Sequence, residues 1–248
     1  MTQACGRGRQ SGVTLIELLI AITLFSVLSI GIVISLRVAL SAMNKADTRL
    51  MSNRRVTSVQ RILEQQIEGL IPVTADCQPP GQLNPGRSIS FFQGELQSMR
   101  FASTYSLQMG SRGPPMILEF TVIPGENSEG VRLVVNERMY TGPRGAGQTC
   151  TGFGPDADGV QGPIFLPILI GDGSFVLADK LAYCRFMFRD TVPPPDLIKW
   201  IVRWTKPVLP SAIRIEMAPL KPDSGRLEPL TLTVPVRITR HPTENYEF

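Results

Sequence analysis

A chain of 248 residues is long enough for one ordinary globular domain with an appendage, or for two small domains. It carries 25 Lys and Arg against 21 Asp and Glu; the positive residues are scattered with no stacking aromatics between them, so a nucleic-acid groove is not expected. A single histidine, His241, and four cysteines without a C-x-x-C spacing (Cys5, Cys77, Cys150, Cys184) supply no convincing zinc cluster.

Residues 1–12, MTQACGRGRQSG, are polar and include Arg7 and Arg9. Residues 13–36 contain no Lys, Arg or Pro, and their only charge is Glu17. As a helix this block extends about 36 Å, enough to cross a bilayer. A secretory signal peptide would use Arg7 and Arg9 and a small-residue site at Ala39 and Ser41. Its apolar core is normally about 7–15 residues, shorter than this one, and does not hold an acid. A plain membrane anchor explains the length and leaves Glu17 without a role. An acid at mid-bilayer costs about 2.5–3.5 kcal/mol, and less at a helix start, where the dipole favours an anion.

A third reading uses the whole string. Gly12-Val13-Thr14-Leu15-Ile16-Glu17-Leu18-Leu19-Ile20-Ala21 resembles the cleavage and methylation signature of type IV prepilins and type II secretion pseudopilins. The resemblance implies a prepilin peptidase that cuts after Gly12 and N-methylates Val13, with Glu17 setting the register between subunits. It also implies a single-pass inner-membrane protein with a cytoplasmic leader and a periplasmic head. One position departs from the pattern: the family's first mature residue is usually Phe, and here it is Val13.

No proline occurs between Val13 and Pro72. Leu36, Leu40, Met43, Leu50, Val56, Val59, Leu63, Ile67 and Leu70 recur at helical spacing, with charged residues over much of the remaining surface. A helix from residue 13 to about residue 70 is expected, ended by Gly69 and Pro72, with Gly31 marking a bend, a local melt or a close helix contact. Beyond it, short apolar or alternating runs predict strands at 89–92, 98–104, 116–123, 131–138, 181–189, 197–204, 212–217 and 230–239. Pro79-Pro80, Pro114-Pro115, Pro124-Gly125 and Pro193-Pro194-Pro195 serve as breakers between them. The expected fold is α+β and pilin-like. Residues 1–12 form a leader, 13–36 the membrane half of a long helix, 37–70 its amphipathic half, and 71–248 an antiparallel β-sheet head packed on the helix. If Cys5 leaves with the leader, one disulfide and a spare thiol suit an oxidising compartment, and three small buried residues are the alternative; spacing does not choose among Cys77, Cys150 and Cys184.

The stretch Trp204-Thr205-Lys206-Pro207-Val208-Leu209-Pro210-Ser211-Ala212-Ile213-Arg214-Ile215-Glu216-Met217 resembles the W…LP-x-A-(I/V)-x-(I/L) segment of J-type minor pseudopilins. That resemblance implies a subunit of the tip complex of a secretion filament, bound to other minor and major pseudopilins. The alternatives are a minor pilin of a type IV pilus, serving adhesion, motility or DNA uptake, and a membrane-tethered periplasmic protein with a fortuitous N-terminus. No enzyme is expected, and no cofactor, metal, nucleic acid or small-molecule substrate. Gly142 to Thr149 has P-loop spacing, but Gln148 stands where the phosphate-binding lysine belongs, so a flexible loop is expected. Asp156-Ala157-Asp158-Gly159, with Asp172 downstream, lacks the terminal glutamate and further carboxylates of a calcium loop and reads as a turn.

Overall fold

The structure, a computed structural model, describes residues 14–78, 87–155, 159, 161–191, 198–220 and 229–238, apart from the side chains of 44–57. The chain divides into two compact units, Met1–Met51 and Ser52–Phe248. The helix α1, Leu15–Glu68, begins in the first and ends in the second.

In the second unit α1 stops where the chain must pass close to the sheet. The Gly69 N–H still donates to the Gln65 carbonyl at 2.9 Å, but a Cβ on Gly69 would lie 2.6 Å from Ser103 Oγ. Pro72 follows within three residues and excludes further helix. The strands are β1 (Leu70–Ile71), β2 (Thr74–Cys77), β3 (Arg87–Ser90), β4 (Phe92–Gly94), β5 (Ser98–Ser106), β6 (Ser111–Pro124) and β7 (Val131–Met139). A short helix α2 (Pro143–Gly147) precedes β8 (Cys150–Pro155), β9 (Gln161–Phe165), β10 (Phe175–Asp190), β11 (Lys199–Ile201), β12 (Ala212–Pro219) and β13 (Leu230–Pro235). Among the described residues, nine strands make one antiparallel sheet in the order β1-β5-β6-β7-β10-β12-β13, with β4 added to β5 and β11 to β10.

One face of this sheet buries Phe101, Leu118, Phe120, Val135, Phe186 and Ile215 against Leu63 and Ile67 near the end of α1 and Leu70 of β1. The Phe101 and Phe120 rings stack at 5.7 Å. Over β5 and β6 the other face is covered too, by β2–β3, α2 and β8–β9, around Ala75, Phe91, Ile117 and Ala146. Burial on both faces explains why Met116 to Phe120 of β6 are all buried in succession, Glu119 among them, rather than alternately. Cys77 and Cys150 join β2 to β8 in a disulfide, with Cα atoms 5.3 Å apart.

Several details differ from the sequence expectation. The expected strand 89–92 is split into β3 and β4, and 197–204 shortens to β11 with Trp204 in an isolated bridge to Gly94. Pro114-Pro115 lies inside β6. The strand tolerates it because pairing with β7 starts only at Met116, and because β5 bulges between Ser103 and Tyr105. The Gly142–Thr149 stretch is α2 and its flanks instead of a loop. Gly147 packs so closely on the Asp76 backbone that a Cβ there would collide with it. Asp156, Asp158 and His241 lie outside the described residues.

Candidate assembly site

The first unit is described from Thr14 onward; Gly12 and Val13, the processing residues, lie outside the described residues. The Thr14 carbonyl accepts from the Glu17 N–H at 3.1 Å and the Leu18 N–H at 3.2 Å, which starts α1 and sets Glu17 in its first turn. There the carboxylate faces the positive end of the helix dipole. Glu17 is exposed, and among the described residues it forms no ion pair.

From Leu15 to Met43 the helix is long and apolar enough, by length and composition, to cross a membrane. Its only charges are Glu17 and Arg37. Leu15, Phe25, Val27, Leu36 and Met43 are all exposed on it, as are the other large apolar side chains of this stretch. Removing such a side chain from water is worth about 1.5–3 kcal/mol, so the stretch calls for lipid or other helices around it. Four of its five hydroxyls have partners: Thr23 donates to the Ile20 carbonyl, Ser26 to Ile22, Ser29 to Phe25 and Ser41 to Val38, at 2.8–2.9 Å. Hydroxyls satisfied within the helix, as these four are, suit an environment without water. A Cβ on Gly31 would meet open space, so nothing in its own chain requires glycine there.

In the head, the Trp204 segment is a packed turn. Trp204 is buried, its Nε1 donates to the Val208 carbonyl at 2.7 Å, and its backbone N–H donates to Gly94. The Lys206 ammonium sits 5.9 Å from the Trp204 ring and pairs with Asp190 at 2.6 Å. The chain then enters β12, whose Ile213, Ile215 and Met217 belong to the core. Cys184 is the free cysteine among the described residues, and burial pushes its thiol up to about 12.

Sequence reasoning missed a polar row across the sheet, buried at Arg100 and Glu119. Arg100 on β5 faces Glu119 on β6, which in turn faces Asn136 on β7. Arg100 Nε lies 3.0 Å from Glu119 Oε1, and its Nη1 donates to Gln93 Oε1 at 3.0 Å. Burial lowers the Arg100 pKa, and the Glu119 charge opposes that shift. At the surface, Asp179 is held below the usual carboxylate range by the hydrogen bond from Arg132, which also pairs with Glu126. Among the described residues, no group of three or more His, Cys, Asp or Glu could hold a metal ion.

The prokaryotic N-terminal methylation motif matches residues 7–33. No curated protein matches the chain. The match spans Gly12, Val13 and Glu17 and overlaps the apolar part of α1. The chain thus opens with a type IV pilin-like signal, and its long N-terminal apolar helix followed by an antiparallel β-sheet head is an α+β, pilin-like architecture.

Proposed function

We propose that the chain is a minor pseudopilin of a type II protein secretion system, most like the J subunit, and part of the filament tip that starts assembly. The observation that carries this reading is the methylation motif at residues 7–33, overlapping a helix with Glu17 in its first turn. Prepilin peptidase would cut after Gly12 and methylate Val13. The new ammonium, with an ordinary pKa near 8, is largely protonated at neutral pH and keeps its charge on methylation. Glu17 of one subunit then neutralises the ammonium of a neighbour, which fixes axial register between helices while desolvation limits the net gain.

The Cys77–Cys150 disulfide supports an oxidising, periplasmic setting for the head, with the apolar helix in the inner membrane. The resemblance of the Trp204–Met217 segment to that of J-type minor pseudopilins favours a secretion subunit over a minor pilin of a type IV pilus, which would share the N-terminal signal. In this role the protein works by binding other minor and major pseudopilins, and it is not an enzyme.

Mass spectrometry of the mature protein tests the reading. The expected N-terminal peptide begins at N-methylated Val13; an intact leader, or cleavage near Ser41, ends the proposal. Glu17→Ala and Glu17→Gln are expected to be processed yet to incorporate poorly into filaments. Normal incorporation of both would remove the register role.

A further inference from the structure

The layer over β5 and β6 does not reach the far end of the sheet: among the described residues, its cluster around Phe91 and Ile117 takes none from β10, β12 or β13. There, alternation with buried Phe186, Phe188, Ile213 and Ile215 turns Arg185, Arg189, Arg214 and Glu216 to the open face. Three guanidiniums share one carboxylate. Arg185 holds one of its oxygens, through Nε at 2.7 Å and Nη2 at 2.6 Å, and Arg214 Nη1 stays 4.0 Å from the other. Arg189 is held by neutral groups, donating to the Ser211 hydroxyl at 2.9 Å and the Ser211 carbonyl at 3.2 Å.

Arg214 is fixed from two sides. Its Cζ lies 3.9 Å from the ring centroid of Trp200 on β11, and its Nε donates to Thr233 Oγ1 on β13 at 3.3 Å. A guanidinium laid on a ring and tied at Nε keeps its planar edge for an oxyanion, with little side-chain freedom left to lose on binding. Carboxylate and phosphate both fit such an edge. The surroundings favour carboxylate. A nucleic-acid strand needs ring faces free for its bases, whereas Trp200 lies against Arg214, and Tyr183 against Arg185 at 5.3 Å. Glu216 also stands where a continuous run of phosphates would meet it. The register suits a peptide: Arg189 pairs with Ala212, so Arg214 is its diagonal neighbour, about 7–8 Å away. Acidic side chains two residues apart on an extended peptide repeat at about 6.6 Å and reach both arginines without passing Glu216.

We infer that Arg189 and Arg214, with Trp200 holding Arg214 in place, form a binding site for an extended acidic segment of another protein. The site belongs to the head and does not depend on the filament reading. The test is fluorescence anisotropy with the full chain in non-ionic detergent, using labelled hexaglutamate, with hexaglutamine and a thymidine dodecamer in parallel. Hexaglutamate is expected to bind, more weakly as salt rises, and hexaglutamine to show no binding. Arg214→Gln is expected to weaken hexaglutamate about tenfold, and Arg214→Lys nearly as much, because an ammonium keeps the charge and loses the planar edge. Arg144→Gln, on the exposed side of α2, lowers the net charge equally and is expected to change nothing. No binding of hexaglutamate, equal losses from Arg144→Gln and Arg214→Gln, or parental affinity in Arg214→Lys overturns the site. Tighter binding of the thymidine dodecamer than of hexaglutamate overturns it too, in favour of a nucleic-acid surface.

Discussion

The buried ion pair at the centre of the head makes an unusual ordering of mutant stabilities. Arg100 and Glu119 face each other across β5 and β6, with side chains 2% and 11% exposed. Arg138 Nε lies 4.0 Å from the same Glu119 oxygen. Removing the acid by Glu119→Leu leaves two guanidiniums facing each other with no anion between them, one of them deep in the protein. Stranding a buried charge costs about 3–5 kcal/mol. Arg100→Met is expected to cost less, because Glu119 keeps Arg138 beside it; the Gln93 and Leu166 acceptors, however, lose their donor. The double variant Arg100→Met/Glu119→Leu removes both charges together and should recover much of the Glu119→Leu loss, since apolar replacement of a buried pair is often neutral or stabilising. For a domain of about 150–250 residues each kcal/mol moves the melting midpoint by about 2–4 °C, which gives roughly 6–20 °C for Glu119→Leu. Thermal unfolding of the full chain in detergent, followed by tryptophan fluorescence, measures this cleanly, because Trp200 and Trp204 both lie in the head. A double variant at least as unstable as Glu119→Leu alone would refute the argument, for the loss would then belong to packing and not to the unpaired charge.

The disulfide and the free thiol give two further outcomes. Cys77→Ser opens a loop closed over a separation of 73 residues, and the chain-entropy model puts the loss at about 4 kcal/mol. The check is that reductant lowers the melting midpoint of the parent chain and leaves that of the variant unchanged. Burial holds the Cys184 thiol at about 12, against an ordinary 9.0, so between these pH values the folded state keeps a proton that the unfolded state has released. Stability from this group is therefore complete below pH 9 and declines as pH rises toward 12, by up to about 4 kcal/mol at about 1.36 kcal/mol per pH unit. Urea midpoints measured across that range should fall less steeply for Cys184→Ala than for the parent; parallel slopes would remove the thiol from the account.

The parts of the molecule visible in the sequence are those whose signal is local. The proline-free run from Val13 to Pro72 and its apolar spacing announce α1, and Gly69 sits where that helix ends. The apolar strands β5, β6, β7, β10 and β12 are centred where alternation and turn residues put them. By contrast, Cys150-Thr151-Gly152-Phe153-Gly154-Pro155 has little apolar content, and it becomes β8 through pairing with β9 and the bond to Cys77. Arg100 was hidden by the very rule that found its strand. In Met99-Arg100-Phe101 the alternation sends Arg100 to the face opposite the α1 core, which a single sheet would leave in water. The layer of β2–β3, α2 and β8–β9 covers that face, and local periodicity carries no information about a second layer. At the N-terminus, Gly12 and Glu17 were legible as a motif because the chemistry they imply is fixed by adjacency along the chain.

The two units also treat charge differently, and on the proposed reading the contrast says what Glu17 is for. Within the head, buried Arg100 finds Glu119, Gln93 and a carbonyl in its own chain. Glu17 has no ion-pair partner among the described residues, on a helical stretch, Leu15–Met43, whose only other charge is Arg37. An acid in mid-membrane costs about 2.5–3.5 kcal/mol, and a position in the first helical turn recovers about 0.3–1 kcal/mol of that. The remainder, about 2 kcal/mol, bounds what a neighbour's ammonium can supply by neutralising it. At 1.4 kcal/mol per tenfold, that is about a thirtyfold preference for the aligned register over a shifted one. Thirtyfold is too little to hold a filament together but ample to choose among registers that the featureless apolar surface between Leu18 and Leu36 would otherwise leave nearly equal. Affinity then comes from the packing of apolar helices, and the charge decides only where along one another they stop.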